Sequence, residues 1–135
     1  MSPEDTMPDH LFVYGTLLDP RANPMAAWLW QRGRRVGDAV FQGRLYRVAD
    51  YPGAVASDDP ADCVKGLLLA LDNPAQVFSE LDLYEGVPDL FRRQPVMVKT
   101  GKGETLSAWI YLYNRPVRRL ARIRSGDFLN DRGFR

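Results

Sequence analysis

Two apolar stretches in the chain lack the alternation expected of a strand with one wet face: His10–Tyr14 (HLFVY) and Val64–Leu71, the latter ending in the run Gly66–Leu71. Runs this short predict buried strands, the first closed by Gly15. Between them, Val40, Leu45 and Tyr46 alternate only in part, which predicts one or two strands across Val36–Val48. A turn at Tyr51-Pro52-Gly53, a short strand at Ala54–Ser57 and a polar loop at Asp58–Asp62 follow. Two helices are marked by their caps. Asn23 before Pro24 predicts a helix over Met25–Gln31, with Gly33 as its stop signal. Asn73, Pro74 and Gln76 form a capping box for a second helix, whose buried face is Val77, Leu81 and Tyr84 with Phe78 beside them. Glu80 and Asp82 are expected to face water, and Gly86 ends the helix. After a loop at Val87–Leu90, Arg92–Thr100 reads as a strand in which Pro95 marks an edge or a bulge. The turn Gly101-Lys102-Gly103 then leads into a last strong strand, Leu106–Tyr113. Strands outnumber helices and no regular βαβ rhythm appears. The pattern predicts an α+β fold with a largely antiparallel sheet or barrel, and argues against a Rossmann arrangement.

Composition narrows the function. At 135 residues, 45% hydrophobic and 26% charged, the chain suits one folded domain over 10–135, preceded by a loose tail at 1–9. Eighteen basic and seventeen acidic residues leave a net charge of +1, so nothing draws the whole molecule toward nucleic acid or an acidic membrane. The single cysteine excludes an intrachain disulfide, and with the single histidine it excludes the common zinc clusters. The acidic start lacks a basic, apolar leader, and Gly66–Leu71 is far too short to cross a bilayer, so a cytoplasmic protein is expected. The arginines at 115, 118, 119, 122 and 124 form a local basic cluster, read first as a solvated face of a short helix or loop and second as a nucleic-acid or subunit contact.

Phosphate-loop, dinucleotide and hydrolase-elbow motifs are absent from the sequence. A Cys63–His10 pair has no local activating feature and reads as a small thiol and a solvated imidazole. Two features have more chemistry in them. Tyr14-Gly15-Thr16-Leu17 follows the first strand. It is either a plain strand-ending turn or a tight bend whose amides and Thr16 hydroxyl can hold a carboxylate or an oxyanion. Glu85 ends the second helix, where the backbone dipole disfavours negative charge, and Tyr84, Val87, Leu90 and Phe91 can desolvate it. Both effects raise a carboxyl pKa toward the range a general acid/base needs. The bland alternative is a solvated glutamate paired with Arg92 or Arg93.

At these two features the sequence resembles the gamma-glutamylcyclotransferase-like superfamily, in its gamma-glutamylamine cyclotransferase branch. The resemblance rests on LFVYGTL at 11–17, GRLYRVADYPGAV at 43–55, VKGLLLAL at 64–71, LDLYEG at 81–86 followed by FRRQPVMV at 91–98, AWIYLY at 108–113 and SGDF at 125–128. It implies a compact mixed, mostly antiparallel β-barrel with a few flanking helices and a cavity at one end, without cofactor or metal. It also implies Glu85 as the catalytic residue, and Tyr14, Gly15, Thr16 and Leu17 as cavity-lining residues that bind substrate. Tyr111 is a weaker candidate for a polar wall contact, with an aromatic core role as the alternative. The implied reaction closes a gamma-glutamyl amine or amino acid to 5-oxoproline and frees the amine. A binding module that keeps the cavity without the turnover is the alternative. Two positions depart from the family's usual residues: Phe91 stands where tyrosine is common, and Phe128 where tryptophan is. The leaving amine and the oligomeric state stay open at this stage.

Overall fold

The computed structural model describes residues 9–130. Most of the expected tail therefore lies outside the described residues, although the Asp9 carbonyl accepts a hydrogen bond from the Leu71 amide at 2.9 Å. Among the described residues there are seven strands: β1 (His10–Val13), β2 (Gly33–Arg47), β3 (Pro52–Ala56), β4 (Cys63–Leu71), β5 (Phe91–Thr100), β6 (Thr105–Tyr113) and β7 (Ala121–Ile123). Two α-helices, α1 (Pro24–Trp30) and α2 (Pro74–Glu85), and a 3₁₀ turn at Thr16–Leu18 complete the fold.

Strands β2, β4, β1, β6 and β5 pair in that order, and β5 returns to β2 through Ala39–Phe41 against Val98–Thr100, closing a barrel. All these ladders are antiparallel except the short β1–β6 contact, where Leu11 faces Trp109. β3 and β7 both pair with the far end of β2. The expected α+β barrel with flanking helices is what the chain forms.

The apolar runs have a two-sided explanation. On β1 and β4, Phe12, Val64 and Leu68 point into the barrel with Phe41, Val98 and Ile110. Leu11, Val13, Leu67, Leu69 and Leu71 point the other way, into a second core with Ala26 and Leu29 of α1 and Val77, Phe78 and Leu81 of α2. Strands buried on both faces have no wet side to write in polar residues.

The caps form as the sequence indicates. Asn23 Oδ1 accepts from the amides of Met25 (2.8 Å) and Ala26 (3.2 Å). Asn73 Oδ1 accepts from the Gln76 amide at 3.4 Å. Gly86 adopts the left-handed conformation (φ 70°, ψ 41°), and its N–H reaches the Asp82 and Leu83 carbonyls. Pro95 lies where β5 pairs only with β6, since β5 meets β2 solely at 98–100, so it stands on a stretch with an open edge, as the sequence indicates.

Several local expectations are corrected. Gly33 does not simply stop a helix: α1 ends at Trp30 and Gly33 is the first residue of β2, paired with Leu71. The region 36–48 is a single strand, begun three residues earlier and interrupted by a register shift between Arg35 and Gly37. Of the expected turn at 51–53, Pro52 and Gly53 belong to β3, paired with Arg47 and Tyr46. Tyr84 is 45% exposed rather than on the buried face of α2. The arginine-rich segment is loop and the short β7 rather than a helix; Arg115, Arg118, Arg119 and Arg124 are exposed as expected, whereas Arg122 is paired with Asp62.

Asp62 ties the sheet's extension together. Its carboxylate accepts from Arg44 Nε (2.8 Å), an Arg122 guanidinium nitrogen (2.8 Å) and Ser57 Oγ (2.6 Å), so one side chain links β2, the β3–β4 loop and β7. These three donors hold its carboxyl well below the usual carboxylate range. A depressed carboxyl pKa stabilises the fold fully above the ordinary value, about 4, and the benefit is lost as the carboxylate protonates at lower pH. Asp62→Asn is expected to lower the thermal unfolding midpoint at neutral pH, with the gap to wild type narrowing on acidification below pH ~4; a calorimetric pH series measures it.

Candidate active site

The barrel's open end holds a cavity of about 370 Å³, within the range that encloses small ligands. One wall is the segment Tyr14–Leu17, carried out of β1. Opposite it stand Tyr84 and Glu85 at the last turn of α2, followed by Leu90 and Phe91. Asp50, Tyr51 and Pro52, leading into β3, form a third side, and Tyr111 of β6 contributes to the wall. Glu85 and the Tyr14–Leu17 bend thus share one hollow.

Each part of the bend has a local cause. The Leu18 amide closes onto the Gly15 carbonyl at 3.0 Å, which makes the 3₁₀ turn. The first N–H groups of such a turn have no acceptor within it. A side chain at Gly15 would place its Cβ 2.8 Å from Pro52 Cγ, so glycine lets the bend lie directly against β3. Leu17 is buried in the core under the helices and anchors the bend, while its carbonyl accepts from Trp30 Nε1 at 3.0 Å. Tyr14 is buried with its hydroxyl fully occupied: it donates to the Tyr111 carbonyl (2.6 Å) and accepts from the Ala54 amide (3.1 Å). Burial pushes the Tyr14 phenol above its ordinary range, so it stays protonated.

Glu85 is part-buried and has no hydrogen-bond or ion-pair partner among the described residues. Burial pushes its carboxyl up to about 7. Helix α2 ends here, and desolvation by burial is the cause of the shift. Neither arginine anticipated as its partner is engaged with it. Arg93 forms a two-pronged pair with Asp82 instead, Nε to Oδ1 at 2.9 Å and a terminal nitrogen to Oδ2 at 3.1 Å.

Asp82, expected in water, is therefore bound. Tyr111 also donates to it, from its hydroxyl at 2.7 Å. Burial opposes its ionisation, but the Arg93 and Tyr111 bonds win and hold the carboxyl below its usual range. Tyr111 thus lines the cavity while its hydroxyl is committed to Asp82. Sequence reading missed this group, although Phe78, Asp82 and Glu85 recur at spacings of four and three, which places them on one helix face.

Asn23 and Tyr84 were also missed as site residues. The Asn23 side-chain amide donates to the Tyr84 hydroxyl at 3.1 Å, a link between α1 and α2 at the cavity. Phe91 is buried, its ring between Tyr51 (6.2 Å) and Tyr113 (5.6 Å). Phe128 packs against the barrel core with Arg47 over its ring at 5.5 Å. Cys63 and His10 do not meet. His10 pairs with Ala70, seven residues along β4 from Cys63, or ~23 Å of strand. No group of three potential metal ligands occurs among the described residues, and no helix among them is long and apolar enough to cross a membrane.

Comparison with known proteins agrees with this geometry. The family model described as "Gamma-glutamyl cyclotransferase, AIG2-like" matches residues 11–130. The Gamma-glutamylcyclotransferase family protein YtfP of Escherichia coli is 33% identical over 121 residues, covering 89% of this chain and 96% of that one. A putative gamma-glutamylcyclotransferase of Drosophila melanogaster is 29% identical over 127 residues, covering 86% and 77%. Among solved structures, YtfP from Escherichia coli superposes with a TM-score of 0.63 over 90% of this chain and 96% of its own. YkqA from Bacillus subtilis, 28% identical, gives 0.69 over 90% of this chain but only 40% of that longer one. With the match running through both walls of the cavity, from the bend at 14–17 to the helix end at 85 and on to β6, the chain belongs to the gamma-glutamyl cyclotransferase, AIG2-like family.

Proposed function

We propose that the protein is a cyclotransferase that converts a gamma-glutamyl amine or amino acid to 5-oxoproline and the free amine, with Glu85 as its general acid/base. The observation that carries this reading is an unpartnered, part-buried carboxyl in the same cavity as the Tyr14–Leu17 bend.

Ring closure is intramolecular, so the substrate already tethers nucleophile to electrophile, and the protein's first contribution is conformational restraint. The substrate's alpha-ammonium must lose a proton before it can attack. Glu85, ionised in part near neutrality, accepts that proton. The amine nitrogen then bonds to the gamma-carbonyl carbon, and the carbonyl electrons move onto oxygen. Amides of the Gly15–Leu17 bend and the Thr16 hydroxyl are suited to hold either that oxyanion or the substrate's alpha-carboxylate. Collapse of the intermediate breaks the original amide C–N bond and the departing nitrogen takes the proton stored on Glu85. The ring nitrogen, which still carries two hydrogens after the attack, gives up its second proton through the regenerated carboxylate to the freed amine, leaving the lactam N–H and an ammonium product. The carboxyl ends as it began. A group with a pKa near the working pH serves both halves, because neither protonation state is costly. Tyr14 acts through its ring and by fixing the bend, since both of its hydroxyl bonds are internal. Tyr111 serves as an aromatic wall. The small cavity suits a substrate of modest size, and its charged lining residues are both acidic, Asp50 and Glu85.

Two outcomes test this. Glu85→Gln keeps the shape and removes the proton acceptor; turnover to 5-oxoproline, followed by mass, is expected to fall about 10²–10⁴-fold. The wild-type kcat/KM is expected to decline with acid through a limb near about 7, where Glu85 protonates, and a limb at the ordinary glutamate value refutes the assignment. Gly15→Ala forces the bend away from Pro52 and is expected to lower kcat/KM on the order of tenfold or more while circular dichroism stays native.

A further inference from the structure

Outside the cavity, back along the same face of α2 from Glu85, stand Phe78 and Asp82 with Arg93 and Trp109, side chains to which the reaction gives no task. The Arg93 guanidinium lies 4.2 Å from the Phe78 ring and 4.5 Å from the Trp109 ring, two rings that meet edge to face, and it makes the two-pronged bond to Asp82. Phe78 and Asp82 come from α2, Arg93 from β5, and Trp109 and Tyr111 from β6. Arg93 and Tyr111 are direct register partners, so both donors to Asp82 come from one rung of the ladder. The contact therefore pins the helix to the barrel wall at a single aspartate.

That aspartate stands three residues before Glu85, about 4.5 Å along the helix axis. Its backbone is also committed. The Asp82 carbonyl accepts from the amides of Gly86 and Val87, so the turn carrying Glu85 is closed onto the residue that is pinned. The chain of bonds continues. Tyr111 passes from Asp82 through its own backbone to the Tyr14 hydroxyl, and that hydroxyl receives the Ala54 amide of β3. A continuous path thus joins the helix end, the bend and the third wall of the cavity.

We propose that Asp82, gripped by Arg93 and Tyr111, is a positioning residue that sets the depth at which Glu85 enters the cavity and its register against the Tyr14–Leu17 bend. The inference rests on the reading of Glu85 as the proton carrier, but its physical content is the placement of that side chain. Two-pronged, charge-assisted bonds suit the task, because they fix angle as well as distance. A lysine at 93 would keep the charge and lose both the fork and the planar contact with the Phe78 and Trp109 rings. The ionisable groups facing Glu85 are Tyr14, Tyr51 and Tyr111, whose electrostatic interaction with it is direct, and Asp50 shares its cavity.

The test needs no turnover. The chain has four glutamates, at 4, 80, 85 and 104, so protein labelled with ¹³C at the glutamate carboxyl gives a short set of titrating signals, with Glu85→Gln identifying the one of interest. In Asp82→Asn and in Arg93→Lys, loosening of the helix end is expected to let water reach Glu85 and lower its midpoint by about one pH unit. On a gamma-glutamyl substrate, each variant is expected to lose about tenfold in kcat with KM changed less than about threefold, and the double variant to lose no more than the worse single one. An unmoved Glu85 midpoint in either folded variant overturns the proposal, as do losses that multiply in the double. Should the wild type form no 5-oxoproline, the functional reading fails while the titration still decides the placement.

Discussion

Everything in this protein depends on two strands that have no wet face. β1 and β4 are packed from inside by the barrel's aromatic and branched residues and from outside by the helices. The inner side takes Phe12, Val64 and Leu68, and the outer side Leu11, Leu69 and Leu71. Removing that much apolar surface from water is the main favourable term available to a chain of this size. It also has a geometric result. The helices are held against the barrel wall near its open end, and the C-terminal turn of α2 comes to rest beside the bend that leaves β1. The site is the place where the outer core runs out.

The electrostatics of the cavity follow from where charges are spent. The chain has as many cations as anions to within one, yet among the described residues no cation lines the hollow. Arg93, the obvious candidate, is held outside the cavity by Asp82 and two aromatic rings. Arg44 and Arg122 are committed to Asp62. Glu85 is left in a part-dry setting with no counter-ion, which raises its affinity for a proton. An ion pair away from the cavity thus keeps a carboxyl inside it unpaired.

Much of this was legible in the residues. The apolar runs, the two asparagine–proline caps and the glycine after Glu85 marked the elements and their ends, because caps and tight turns have strict local chemistry. The bend at 14–17 and Glu85 could be singled out for the same reason. What escaped was non-local. Asp82 read as a wet helix position because nothing near it in sequence says that Arg93 and Tyr111 arrive from two different strands. Tyr84 fitted the apolar spacing of α2 but lies at the cavity, where its hydroxyl meets Asn23. The turn expected at 51–53 falls at 48–51 instead, because Pro52 and Gly53 are taken into pairing with β2.

The length of β2 has its own meaning. One fifteen-residue strand is paired in turn with β4, β5, β3 and β7, so four ladders read their alignment from the same stretch of backbone. Adding or deleting a single residue there would reverse which side chains look inward along all that follows. The one irregularity it tolerates, between Arg35 and Gly37, lies before Ala39, the first residue to meet β5. Length variation among descendants of this sequence therefore has room at the strand's entrance and almost none beyond it.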